Sequence, residues 1–162
     1  MTSNAILLKN TNTDFVGKSE KIAISESDLT AETLIGGLEI IEKISAEWID
    51  LCEEGVSNEP FFRPEWFRSF VKNFEKEILL ATVRKNGKLK AVLLLVKKKD
   101  SLHCVPVVKL ASIFNLQSQR FDLIHTADES EKDEILRAIW QELKRQKGWN
   151  FFETRLTYQN SW

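Results

Sequence analysis

Two apolar runs, Ile78–Val83 and Leu89–Val96, flank the dipeptide Asn86-Gly87, and this arrangement restricts the fold more than any other feature of the chain. Asn-Gly accepts the positive φ angles of a tight turn whose twist matches the strands on either side, so the two runs form an antiparallel hairpin. Leu93, Leu94 and Leu95 in succession leave neither face of the second strand polar. That strand therefore lies inside a sheet covered on both sides. Another strand is expected over Leu102–Leu110, where Pro106 cannot donate to a ladder and marks a bulge or an exposed edge.

Helical spacing surrounds this sheet. After Gly36-Gly37, the segment Leu38–Ile44 reads as a strand, with Ile40 and Ile44 on one face and Ile41 on the other. Ser45 then caps a helix whose stripe is Trp48, Leu51 and Cys52, and Gly55 ends it. A loop over Val56–Arg63 leads to Pro64, which suits a first helical turn because its missing N–H would be unpaired there. Trp66, Phe67, Phe70, Val71 and Phe74 follow at helical spacing, and aromatics so spaced are more often core than a ligand box. A short apolar segment, Phe121–Ile124, precedes a long helix over Glu129–Gln146. Ile135, Leu136, Ile139, Trp140 and Leu143 form its buried stripe, with acids at its start and bases at its end to suit the helix dipole. Gly148 stops it, and Trp149–Leu156 reads as a last strand. The order is β-α-α-β-β-β-α-β, an α/β (α+β) chain without internal repeats. Residues 1–35 read as a polar, loosely ordered arm with room for one short strand, and residues 36–162 as the folded lobe.

Composition excludes several classes. With Lys+Arg at 23 and Asp+Glu at 24, there is no positive excess of the kind that nucleic acid binding uses. Lys97-Lys98-Lys99 is read as a solvated strand end. Cys52 and Cys104 have no metal-ligand spacing and are expected as two buried, reduced thiols. No apolar run approaches the roughly 20 residues that span a bilayer, so no membrane partner is expected. The N-terminus lacks a basic region and a signal core, which gives a cytoplasmic location by default.

Chemistry-bearing groups are sparse. His103 and Cys104, read as strand neighbours, point to opposite faces and so make no dyad. His125 sits at a strand end before the last helix, a common place for function, yet has no nucleophile beside it. Arg120-Phe121-Asp122 either forms a local ion pair or projects polar groups into a cleft. The polar loop Asn115–Arg120 is of the kind that carries binding residues. None of the six glycines builds a phosphate loop. The junction Ile124–Glu131 places carboxylates where a pyrophosphate would need backbone N–H groups, so it favours a helix start and repels a nucleotide.

Several short stretches carry a family likeness. Trp48 and Leu51, Pro60-Phe61 and Pro64-Glu65-Trp66 resemble the opening of CelD-like acetyltransferases, relatives of the FemAB-type aminoacyl transferases. Gly87–Leu93 is similar to that family's hairpin, although Leu94 stands where the family usually has proline. Lys109-Leu110, Asn115 and Arg120–Ile124 resemble its next stretch, and Trp149–Glu153 with Ser161 its ending. The element order is also that of the GNAT (N-acetyltransferase) fold. The resemblance spans roughly residues 38–162 and implies a mixed, mostly antiparallel sheet flanked by helices, incomplete at its C-terminus.

Such proteins carry two GNAT-like lobes around one cleft, with acyl-CoA on the second. The resemblance therefore implies an N-terminal lobe that shapes the acceptor side of a CoA-dependent acyltransferase, inactive alone. Its partner would be the missing C-terminal lobe or another chain, and its acceptor an amine or hydroxyl, on a small molecule or a saccharide. Acetyl-CoA or another acyl-CoA is implied for the full-length protein, with none bound by this chain. Phe61, Trp66, Asn115, Arg120 and Asp122 are the candidate acceptor-side residues, and no catalytic residue or metal ligand is assigned. The alternative is a non-catalytic protein-interaction domain on a degenerate GNAT scaffold, using its sheet edge and the apolar end Trp149–Trp162. A lobe handling tRNA is disfavoured by the balanced charge.

Overall fold

A computed structural model describes residues 29–55, 59–75, 77–113, 123–126 and 129–153. Their order is β1 (Leu29–Gly36), α1 (Leu38–Glu54), a 3-10 turn (Pro60–Phe62), α2 (Pro64–Phe74), β2 (Ile78–Lys85) and β3 (Lys88–Leu102). After these come β4 (Val105–Ser112), β5 (Ile124–His125), α3 (Glu129–Arg145) and β6 (Phe151–Glu153). The sheet runs β1-β2-β3-β4-β6 and is antiparallel except where β6 lies parallel to β4; β5 pairs with β3. This is the mixed, mostly antiparallel α/β architecture expected from the sequence.

The β2–β3 hairpin turns at Asn86 (φ 51°) and Gly87 (φ 78°), with Lys85 opposite Lys88. Both turn residues take the left-handed angles such a turn demands. Leu93, Leu94 and Leu95 are all buried because helices cover both faces. Leu94 joins Leu80, Val92 and Val96 in a core under α1 and α2. Leu93 and Leu95 join Leu79, Ala81, Val83 and Leu110 in a second core under α3, against Ile135, Ile139 and Leu143.

Leu38–Ile44 is not a strand but the first part of α1. Ile40, Ile41, Ile44, Trp48, Leu51 and Cys52 are all buried, a spacing that only a helix brings to one side. The β-branched isoleucines mimic a strand locally, and the period is visible only across the whole seventeen residues. Ser45 consequently lies inside the helix rather than at its cap, and its Oγ accepts a hydrogen bond from Arg68 Nη2 at 2.7 Å. At the true start, Glu39 Oε1 accepts from the Gly37 N–H at 2.7 Å, which holds its carboxyl below the usual carboxylate pKa. The first strand of the sheet is instead β1, which begins inside the segment assigned to the arm. Residues 1–28 lie outside the described residues.

His103 and Cys104 also differ from expectation. They form the two-residue turn between β3 and β4, with φ 48° and 67°, and Cys104 is exposed. The apolar run Leu102–Leu110 continues through this reversal without glycine or asparagine, so pairing of the flanking strands imposes a turn that its residues do not favour. Only Cys52 is a buried thiol. Pro106 stands opposite Ser101. Val108, two residues on, exchanges hydrogen bonds with Asn150 on the β6 side, so Pro106 faces that same edge before β6 begins. It sits where a ladder donor is not needed.

Candidate functional site

The end of the sheet that carries the β2–β3 hairpin gathers most of the polar groups placed by more than one element. Between Val83 and Arg84 the pairing partner jumps from Ala91 to Leu89, so Lys90 is a bulged residue. Bulges redirect side chains. Here the bulge places the Lys90 ammonium 3.8 Å from Glu131 Oε2, while Lys85 Nζ bonds the other oxygen of the same carboxylate. Glu131 belongs to the first turn of α3, where the helix dipole also favours a negative charge. Its side chain is 16 % exposed.

Beside it, the Thr126 N–H donates to the Lys90 carbonyl at 3.1 Å, and Thr126 forms an isolated bridge with Gly55 at the end of α1. Thr126 Oγ1 is buried and has no hydrogen-bond partner among the described residues. His125 Nδ1 lies 2.6 Å from the Thr126 carbonyl, a geometry in which Nδ1 carries the proton. Lys88 pairs with Glu54 across the same end at 2.7 Å. A pyrophosphate at the start of α3 would need free backbone N–H groups there. Glu131, paired with two lysines, puts a negative charge in the first turn of α3, which disfavours a second anion beside it.

The second group lies at the join of α1 and α2. Trp48 Nε1 donates to the Phe62 carbonyl at 2.9 Å, and the Cys52 thiol donates to the same oxygen at 3.4 Å. These bonds fix the 3-10 turn against α1. Burial pushes the Cys52 thiol up to about 11, so it is no nucleophile at neutral pH. The turn presents Phe61, 38 % exposed, edge-to-face against Trp66 with ring centroids 6.1 Å apart. Trp66 in turn stacks on Phe70 at 5.6 Å and meets Phe67 edge-on at 5.0 Å. Two of the sequence candidates, Phe61 and Trp66, are thus brought together.

Asn115, Arg120 and Asp122 lie outside the described residues, as do residues 154–156 of the expected last strand and 157–162 after it. The strands on either side of residues 114–122 are described. Ser112 faces Leu95 and Ile124 faces Val92, so the two flanking residues stand three positions apart on β3. The flanking Ile113 and Ile124 belong to the same buried cluster as Phe62 and Phe67.

Sequence reading missed Lys85, Lys90 and Thr126 as a group with Glu131. Lys85 and Glu131 are 46 residues apart, and nothing local in the sequence flags the bulge that turns Lys90 toward them. Among the described residues no cluster of three or more His, Cys, Asp or Glu is placed to hold a metal ion, and no helix is long and apolar enough to cross a membrane.

No protein-family model matches the sequence, and no curated protein matches it. Solved structures similar to the chain include an aminoglycoside acetyltransferase from an uncultured soil metagenomic sample, in complex with trehalose. That likeness has 14 % identity and a TM-score of 0.43, over 80 % of this chain and 78 % of that one. The same enzyme with sisomicin gives 14 % identity and 0.41, over 78 % and 76 % of the two chains. A probable acetyltransferase gives 16 % identity and 0.38, over 80 % and 81 %. Each is similar to this chain in outline only.

Proposed function

We propose that this chain is the acceptor-side lobe of a CoA-dependent acyltransferase of the CelD-like kind. Acyl-CoA would be held by a second lobe or chain rather than by these 162 residues. The element order and the motif resemblance support the family reading. The observation that carries the acceptor role is the pairing of exposed Phe61 with half-buried Trp66, on a turn fixed from beneath by Trp48 and Cys52 through the Phe62 carbonyl. Rigid aromatic faces with polar neighbours suit ring-bearing small molecules, because they bury area at low cost in side-chain freedom. A saccharide or amino sugar is such an acceptor. Asn115, Arg120 and Asp122 would supply polar contacts from the segment between β4 and β5. The negative charge of Glu131 in the first turn of α3 supports a cofactor site elsewhere.

The test is a heteronuclear NMR titration of the indole N–H signals with trehalose, sisomicin and glucosamine. The reading predicts that at least one shifts the Trp66 indole with an affinity near about 1 mM, the range of weak small ligands. Phe61→Ala would abolish that shift while leaving the Trp48 signal in place. Absence of any shift with all three, or a shift unchanged by Phe61→Ala, overturns the acceptor assignment.

A further inference from the structure

Asn86 alone among the asparagines of the sequence is followed by glycine. The fold puts this pair at the tip of the β2–β3 hairpin, where Asn86, Gly87 and Lys88 are all exposed. Lys85 stands opposite Lys88, and a two-residue loop closed in this way leaves the Gly87 N–H outside the ladder. Neither that N–H nor the Asn86 side-chain amide makes a hydrogen bond among the described residues. Arg84 Nη1 donates to the Gly87 carbonyl at 3.1 Å, which leaves the nitrogen free. A Cβ added at Gly87 would meet nothing within 4 Å beyond its chain neighbours, so the approach to the nitrogen is open.

The other described asparagines lack these conditions. Asn73 lies in α2, and its Nδ2 donates to the Ser69 carbonyl at 2.6 Å. Asn150 Oδ1 accepts from the Val108 N–H at 2.7 Å, which fixes its side chain against β4. Each is followed by a phenylalanine, Phe74 or Phe151, whose bulk stands next to the nitrogen that would have to react.

We propose that Asn86 is a site of spontaneous self-modification, in which the Gly87 nitrogen displaces the side-chain amide of Asn86. The Gly87 N–H gives its proton to water or hydroxide, the nitrogen bonds Asn86 Cγ, and the Cγ–Nδ2 bond breaks. Ammonia leaves with a proton from solvent, and a five-membered imide remains. One water then opens the ring. Cleavage of the new N–Cγ bond leaves an aspartate at position 86, and cleavage of the original main-chain bond leaves an isoaspartate. Water is consumed, ammonia is released, and one negative charge is added to a chain of net charge −1. The two products act differently on the fold. Aspartate keeps the main chain and, like asparagine, accepts the φ of 51° at this position. Isoaspartate routes the chain through Cβ, which lengthens a two-residue loop and takes Lys85 and Lys88 out of register. Those lysines hold Glu131 at the start of α3 and Glu54 at the end of α1, so this product loosens the hairpin from both helices.

Peptide mapping by mass spectrometry of the full chain, held at mildly alkaline pH with and without urea, tests this. The folded chain should gain the mass difference between NH2 and OH at Asn86, while Asn73 and Asn150 stay unchanged. Its rate should lie within about tenfold of the rate in urea, a barrier difference of about 1.4 kcal/mol. Gly87→Asn keeps a residue that accepts the left-handed angle but crowds the nitrogen, and should slow the gain at Asn86 by more than about tenfold. The isoaspartyl fraction, separated by ion exchange, should unfold at lower urea than wild type, whereas Asn86→Asp should keep the wild-type midpoint. A gain at Asn86 that occurs only in urea overturns the proposal. So does a gain at Asn73 or Asn150 in the folded chain that matches it, or an undiminished rate in Gly87→Asn. An isoaspartyl fraction as stable as wild type overturns the stated effect on the hairpin.

Discussion

Gly55 closes α1 in ordinary extended backbone, φ −79° and ψ 174°, so its conformation alone gives no reason for a glycine. Judged on angles, Gly55→Ala should stabilise the chain by about 0.4–1 kcal/mol through the unfolded state. Packing argues the reverse. An added Cβ would stand 2.8 Å from the His125 carbonyl oxygen and 2.8 Å from that of Leu51. Both are main-chain atoms of packed elements and cannot swing aside as a flexible side chain does. Crowding of this kind costs about 1–3 kcal/mol, which outweighs the entropic gain and leaves a net loss of about 1–2 kcal/mol. Gly87 supplies the contrast, since nothing lies within 4 Å of its added Cβ while φ is +78°. There Gly87→Asn should be tolerated better than Gly87→Ala, because asparagine accepts left-handed angles. At Gly55 asparagine should be no better than alanine. Urea denaturation followed by tryptophan fluorescence reads both series, with an unchanged m-value required for the comparison. A Gly55→Ala chain as stable as wild type would refute the claim that α1 and β5 are closed against each other through this position.

Four further outcomes are expected. Trp48→Phe removes the stronger of two donors to the Phe62 carbonyl and leaves a void in a fully buried place, costing about 2–4 kcal/mol in the same urea assay. His103→Asn with Cys104→Gly places favoured residues at the two positive-φ positions of the β3–β4 turn and should raise stability by about 0.5–1 kcal/mol. Native thiol titration should label Cys104 and spare Cys52, which reacts only after denaturation. Hydrogen bonds from Lys109 to Asp100 and Glu153, each 2.7 Å, raise the lysine pKa. The stability this pairing contributes is full below the unfolded lysine value of about 10.4 and lost as pH rises through the raised folded value. Melting temperature should therefore fall more steeply above about pH 10.4 in wild type than in Lys109→Met.

The central hairpin was legible because Asn86-Gly87 and the leucine triplet speak for themselves locally, and the α3 stripe because its period holds for the whole helix. The start of α1 was not. Leu38–Ile44 is rich in β-branched residues, and the glycines before it look like a strand boundary, so local preference pointed to a strand where packing chose a helix. The reversal at His103-Cys104 was hidden for the opposite reason: its residues carry no turn signal, and the strands on either side force the conformation. At the candidate site, Phe61 and Trp66 could be nominated because both stand in the stretch that resembles the CelD-like opening. The grouping of Glu131 with Lys85 and Lys90 rests on one bulged residue and on a helix returning to a hairpin, neither of which a single sequence displays.

The proposed division of labour between this chain and a cofactor-bearing lobe is tested most directly by titration calorimetry of the chain with acetyl-CoA. With Glu131 held by Lys85 and Lys90 at the start of α3, we expect no saturable heat up to about 1 mM cofactor. Stoichiometric binding with a dissociation constant in the micromolar range would place the cofactor on this chain and contradict the account.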